Sequence, residues 1–84
     1  MLEAEIYARL TEIFRDIFMR EDMVLTPELS AKDVKGWDSF KQIEIIIGVE
    51  ETFGVKFRMK EIERLRDVGD LASLIAMKSS GANQ

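Results

Sequence analysis

The chain contains no histidine and no cysteine. Without histidine it lacks the commonest general base near neutral pH and the commonest metal ligand. Without cysteine it has no disulfide staple, no thiolate metal site and no thiol nucleophile. Together these absences weigh against an enzyme and against a metal protein. No apolar run approaches the roughly 20 residues of a membrane span, and the opening MLEAEIYARL, amphipathic and acidic-leaning, is unlike a signal peptide. Cytoplasm is the expected location. The net charge of −4 argues against nucleic acid or an anionic membrane surface as a partner.

What is present is one small domain of 84 residues, expected to be monomeric. Leu2, Ile6, Leu10, Ile13, Phe14, Ile17 and Phe18 recur at helical spacing, which predicts an amphipathic helix over 2–19. Residues 20–38, with Pro27, Gly36 and several polar residues, read as a long connection with a short turn around PELSAKDV. A second helix is expected to start at Asp38 or Ser39 and end at Gly54, which suits the left-handed turn that closes helices. A short third helix fits 59–65. A fourth begins near Asp67, with Asp70 three residues on as an imperfect capping box, and runs to about Met77 with Val68, Leu71, Leu74 and Ile75 inward. GVKF is too short to count as a strand. The expected fold is all-α, four helices with a long loop between the first two and a short third helix. The domain spans 1–78, and 79–84, small and polar, is expected to be a disordered tail.

The second helix carries more apolar residues than one buried face needs. At about 100° per residue, Ile45, Ile46, Val49 and Phe53 gather on one side and Phe40, Ile43 and Ile47 on another. Glu44, Glu50 and Glu51 border the second stripe. Either the helix is buried on both sides, or one side meets a partner. Charge is uneven as well. Residues 56–66 hold Lys56, Arg58, Lys60, Arg64 and Arg66 against Glu61 and Glu63, a net +3, so the remainder carries −7.

Ser39 opens the second helix. A nucleophilic serine needs a base and a group to orient it, and neither is visible. A hydroxyl acted upon is the alternative. Free N–H groups and the positive end of the dipole favour a phosphate at a helix N-terminus, but an ordinary helix start is the plainer account of Asp-Ser, and the local chemistry permits a phosphate-linked group without demanding one.

GWDSF opening an apolar-acidic helix, then IEIIIGVEETFGVKF and DVGDLASLI, together resemble the acyl carrier proteins over 36–77, and more loosely over 2–35. The resemblance implies that Ser39 bears 4′-phosphopantetheine, with Asp38 capping the helix and serving the metal-assisted transfer of the arm from coenzyme A. It implies a protein without catalysis of its own that holds an acyl group as a thioester. A phosphopantetheinyl transferase and acyl-loading and acyl-accepting enzymes would be its partners. Phe40, Ile43, Ile47, Met59 and Ile62 match apolar positions by which carriers meet these partners, and Glu44, Glu50 and Glu51 the accompanying acids. The core formed by Ile45, Ile46, Val49, Phe53, Leu71 and Leu74 is where some carriers nest acyl chains.

The sequence departs from the family pattern in places. Phe40 stands where leucine is usual, Lys41 where an acid is common, and the third helix, usually acidic with a Pro-Asp start, reads RMKEIERLR. These departures point to a dedicated carrier in a specialised lipid, polyketide or polysaccharide-modification pathway. An aminoacyl or peptidyl carrier loaded by an adenylating enzyme, and an unmodified helical docking module, remain open as alternatives.

Overall fold

Ile6, Leu10 and Phe14 are buried along one side of α1 (Glu3–Phe18), in a computed structural model that describes residues 2–81. The expected helix over 2–19 is one residue shorter at each end. Leu2 sits outside as the extended cap residue, its N–H donated to Glu5 Oε1 at 3.2 Å. Met19 takes the left-handed conformation, φ 54°, and turns the chain off the helix. α2 (Ser39–Phe53) and α4 (Val68–Gly81) both pack on α1. Ile45, Ile46, Val49, Val68, Leu71, Ala72 and Ile75 meet the α1 stripe in one core. α1 and α2 approach closely where Gly48 faces Ile13; a Cβ on Gly48 would lie 3.2 Å from Ile13 Cγ2. Among the described residues there are helices and no strands. The Cα radius of gyration, 12.0 Å, is that of a packed chain of this length.

The long loop is tied down by its backbone. Arg15 Nε donates to Met23 O at 2.9 Å, and Met23 and Val34 are buried against the bundle. A short 3₁₀ turn, Ala31–Asp33, stands where a turn is expected; Asp33 accepts from both the N–H and the hydroxyl of Ser30. Farther along, Leu29 O and Pro27 O accept the N–H groups of Val68 and Gly69, each at 2.9 Å. The loop thereby satisfies two amides at the start of α4 that the helix itself leaves unpaired.

α2 begins and ends as expected, with Asp38 as its cap and Gly54 closing it at φ +68°. α3 (Met59–Glu63) is two residues shorter than expected, and at five residues it is too short to hold by itself. Glu61 fixes it: its Oε1 accepts from Arg58 N–H at 2.8 Å and pairs with Lys78 Nζ of α4 at 2.9 Å. The Arg58 N–H first, then Lys78, hold the Glu61 carboxyl below its ordinary pKa.

The start of α4 differs from a capping box. Asp67 Oδ1 accepts from Asp70 N–H, but Asp70 reaches one residue past Asp67 to accept Arg66 N–H at 3.0 Å. It also pairs with the Arg66 guanidinium at 2.9 Å, and that hydrogen bond is the main reason its carboxyl sits below the usual range. α4 continues to Gly81 rather than stopping near Met77, because no proline interrupts residues 77–81. Residues 79–81 of the expected tail are therefore helical, and 82–84 lie outside the described residues. Phe53 and Leu74, expected in the core, are half-buried at its edge. Leu74 lines a groove between α3 and α4 with Leu65 and Met77.

Candidate functional site

Asp38 is extended, and its Oδ1 accepts from Lys41 N–H at 2.9 Å. This places Ser39 as the first residue of a 15-residue helix, with both Asp38 and Ser39 exposed. Among the described residues the N–H groups of Ser39 and Phe40 have no acceptor, and nothing hydrogen-bonds Ser39 Oγ. No base is in place to activate the hydroxyl. The free amides and the helix dipole make this a good seat for a phosphate attached there.

The turn that carries Ser39 is fixed from both sides. Two residues earlier, the Trp37 ring packs edge-on against Phe14, centroids 5.3 Å apart at 78°, and lies 6.1 Å from Phe18. Its Nε1–H donates to Gln42 Oε1 at 2.8 Å. Two residues later, Lys41 Nζ donates to Ile17 O, near the end of α1, at 3.3 Å. That bond helps satisfy the last carbonyls of α1. The residues alone do not show the Trp37 bond to Gln42 or the anchoring by Lys41. Both contacts depend on how the loop returns to α1, which no local pattern records.

The structure separates the two apolar stripes of α2. Ile45, Ile46 and Val49 are at most 6% exposed, whereas Phe40, Ile43 and Ile47 are 71%, 58% and 49% exposed. Of the two possibilities left open by the sequence, the second stripe is therefore open to solvent. Met59, 69% exposed, adds to the open apolar surface. Ile62 is half-buried and shares a cleft of about 540 Å³ with Ser39, Trp37, Ile43, Leu65 and Leu71.

The three acids expected beside the stripe differ in their engagement. Glu51 is exposed, and no group bonds it among the described residues. Glu44 Oε1 lies 3.2 Å from Lys41 Nζ, an ion pair without the alignment of a hydrogen bond. Glu50 is half-buried and uses Oε2 to accept Phe57 N–H at 2.8 Å, so it braces the step from α2 to α3. Among the described residues no group of carboxylates is placed to hold a metal ion, and no helix is long and apolar enough to cross a membrane.

No family model matches the chain. It is 36% identical over 73 residues to the meromycolate extension acyl carrier protein of Mycolicibacterium aurum, a match that covers 87% of this chain and 75% of that one. It is 33% identical over 72 residues to an acyl carrier protein of Acidothermus cellulolyticus, covering 86% of each. Among solved structures it superposes on the solution NMR structure of a holo acyl carrier protein from Geobacter metallireducens. The TM-score is 0.86 at 38% identity, covering 92% of this chain and 88% of that one.

Proposed function

The chain belongs to the acyl carrier protein family, and we propose that Ser39 carries 4′-phosphopantetheine and holds an acyl group for transfer between enzymes. One observation carries the assignment to Ser39. Its hydroxyl is exposed at the mouth of α2 beside two unclaimed amides, so the residues present fit a phosphodiester. When bound, the arm supplies the thiol that the cysteine-free chain lacks, and with it the thioester.

This chain's residues present, cap and dock. Ser39 Oγ forms the new P–O bond when the arm is taken from coenzyme A, the pyrophosphate bond breaks, 3′,5′-ADP leaves, and the hydroxyl proton passes to a base. Among the described residues nothing bonds the hydroxyl, so that base is assigned to the transferase. Asp38 spends one oxygen on the cap, and its other oxygen would be available to a metal ion held by the transferase. Trp37 and Lys41 hold the turn still, so the attachment point is presented by a rigid element. Phe40, Ile43, Ile47, Met59 and Ile62 form the apolar docking surface, with Glu51 and, more weakly, Glu44 and Glu50 beside it. A small apolar patch with charges around it suits a shuttle, which must leave each partner quickly. The similarity to a carrier named for meromycolate extension supports a specialised lipid pathway.

The test is acyl loading. Wild type given acyl-coenzyme A and a phosphopantetheinyl transferase should gain an acyl group that hydroxylamine removes, leaving the arm behind. Ser39→Ala should gain nothing. An acyl group that survives hydroxylamine, or one found on Ser39→Ala, refutes thioester carriage at this residue.

A further inference from the structure

Along α2 most of the acids are engaged, and along 56–64 most of the bases are not. Glu44 is paired with Lys41, and Glu50 holds Phe57 N–H, which leaves Glu51 as the unengaged acid of α2. On α3 and the segment before it, Lys56, Arg58, Lys60 and Arg64 are exposed, Arg64 at the groove toward α4, and among the described residues none of them forms an ion pair. Glu61 pairs directly with Lys78 and acts on the Arg58 side chain only through space, and among the described residues of α3 Glu63 is the other acid against the four cations. Arg66 and Asp70 cancel each other.

Ile47, with Glu51, borders the groove against Ile13 and Asp16 of α1, while Ile43 borders the cleft against Ile62 of α3. Phe40 and Met59, the most exposed of the group, pack against no part of the core among the described residues. An exposed cation stays hydrated until a partner covers it, and covering it without a carboxylate opposite is costly.

We propose that the α2–α3 face is a two-signed docking surface. Its partner enzyme offers apolar pockets for Phe40 and Met59 and places carboxylates opposite Lys56, Arg58, Lys60 and Arg64. The inference rests on the carrier reading and extends it to the chemistry of the acyl-handling partner. The cations act mainly on encounter, because solvated charges at ordinary salt are screened beyond about 8 Å. They select against enzymes whose carrier site is basic on the side that meets α3.

The probe is a broad-specificity phosphopantetheinyl transferase whose carrier-docking residues are lysine and arginine, used with saturating coenzyme A. kcat/KM is measured for wild type, for Lys56→Glu/Arg58→Glu/Lys60→Glu/Arg64→Glu, and for the four Gln replacements. At low salt the Glu variant should exceed wild type by about tenfold, with the Gln variant between them. Raising the salt to about 1 M, where the Debye length is about 3 Å, should raise wild type, lower the Glu variant and bring the two together. Exchanging the transferase's docking residues for glutamate should reverse the order. If Glu and Gln variants, folded by circular dichroism, stay within about twofold of wild type at low salt, these charges do not govern docking and the proposal falls. If wild type accepts no arm under any condition, the carrier reading fails as well, which is a different result from loading that ignores charge.

Discussion

Replacing Asp38 separates two roles that one residue is asked to play. Its Oδ1 accepts a single bond, from Lys41 N–H at 2.9 Å, at an exposed helix start. Loss of such a cap costs about 1 kcal/mol, and loss of a carboxylate from the first turn about another 0.5 kcal/mol. Asp38→Ala should therefore lose about 1.5 kcal/mol. Asp38→Asn keeps an acceptor oxygen in place and should lose only the charge part, about 0.5 kcal/mol. With a urea m-value of about 1 kcal/mol/M for so small a chain, the midpoints should fall by about 1.5 M and 0.5 M. Circular dichroism at 222 nm in urea reads both. Loading kinetics then separate the second role: Asp38→Asn should accept the arm at least about tenfold more slowly than wild type although its fold is nearly intact. An alanine variant as stable as wild type, or an asparagine variant as weak as alanine, refutes the cap argument. An asparagine variant that loads at the wild-type rate refutes the role in transfer.

Other perturbations test the core, the loop and the charges. Ile45→Ala removes a fully buried side chain where α2 meets the core and should cost about 2–5 kcal/mol in urea denaturation, enough to unfold much of a domain this size at 37 °C. Gly69→Ala would place a Cβ 3.0 Å from Pro27 O and 3.2 Å from Pro27 Cβ, the loop residue whose carbonyl accepts the Gly69 N–H. The crowding should outweigh the helix propensity gained, for a net loss of about 1–2 kcal/mol; a gain in the urea midpoint would show that the loop yields easily. Asp70 has a carboxyl held below its ordinary 3.8 by Arg66. A depressed carboxyl stabilises the fold above that pH and loses its contribution as the pH falls through the lower folded value. Stability of wild type should accordingly drop below about pH 4, and Asp70→Asn should show a shallower drop over the same range in acid titrations followed by circular dichroism.

What could be read from the residues was local and periodic. The two stripes of α2 follow from angle alone, and the structure buries one and opens the other. Asp38 and Gly54 mark the ends of α2 because capping chemistry is written within a few residues of each end. Contacts that require the folded chain were hidden. Glu50 borders the open stripe by angle, yet its carboxylate turns to the amide of Phe57, seven residues on. Met23 and Val34 are buried although they sit in a connection, because loop carbonyls bond to Arg15 and to the start of α4. Leu74 has helical spacing suited to the core, but the short α3 leaves a groove beside it instead of covering it. The +3 segment was visible as a count; which of its charges are free depends on Lys78 and Arg66 finding Glu61 and Asp70.

The central claim is that the hydroxyl of Ser39 is an attachment point. Intact-mass spectrometry tests it most directly, on wild type and Ser39→Ala, each incubated with coenzyme A, Mg²⁺ and a broad-specificity phosphopantetheinyl transferase. The account predicts one phosphopantetheine-sized gain on wild type and none on the alanine variant. No gain on well-folded wild type, with transferases from its own source included, or the same gain on Ser39→Ala, would contradict it.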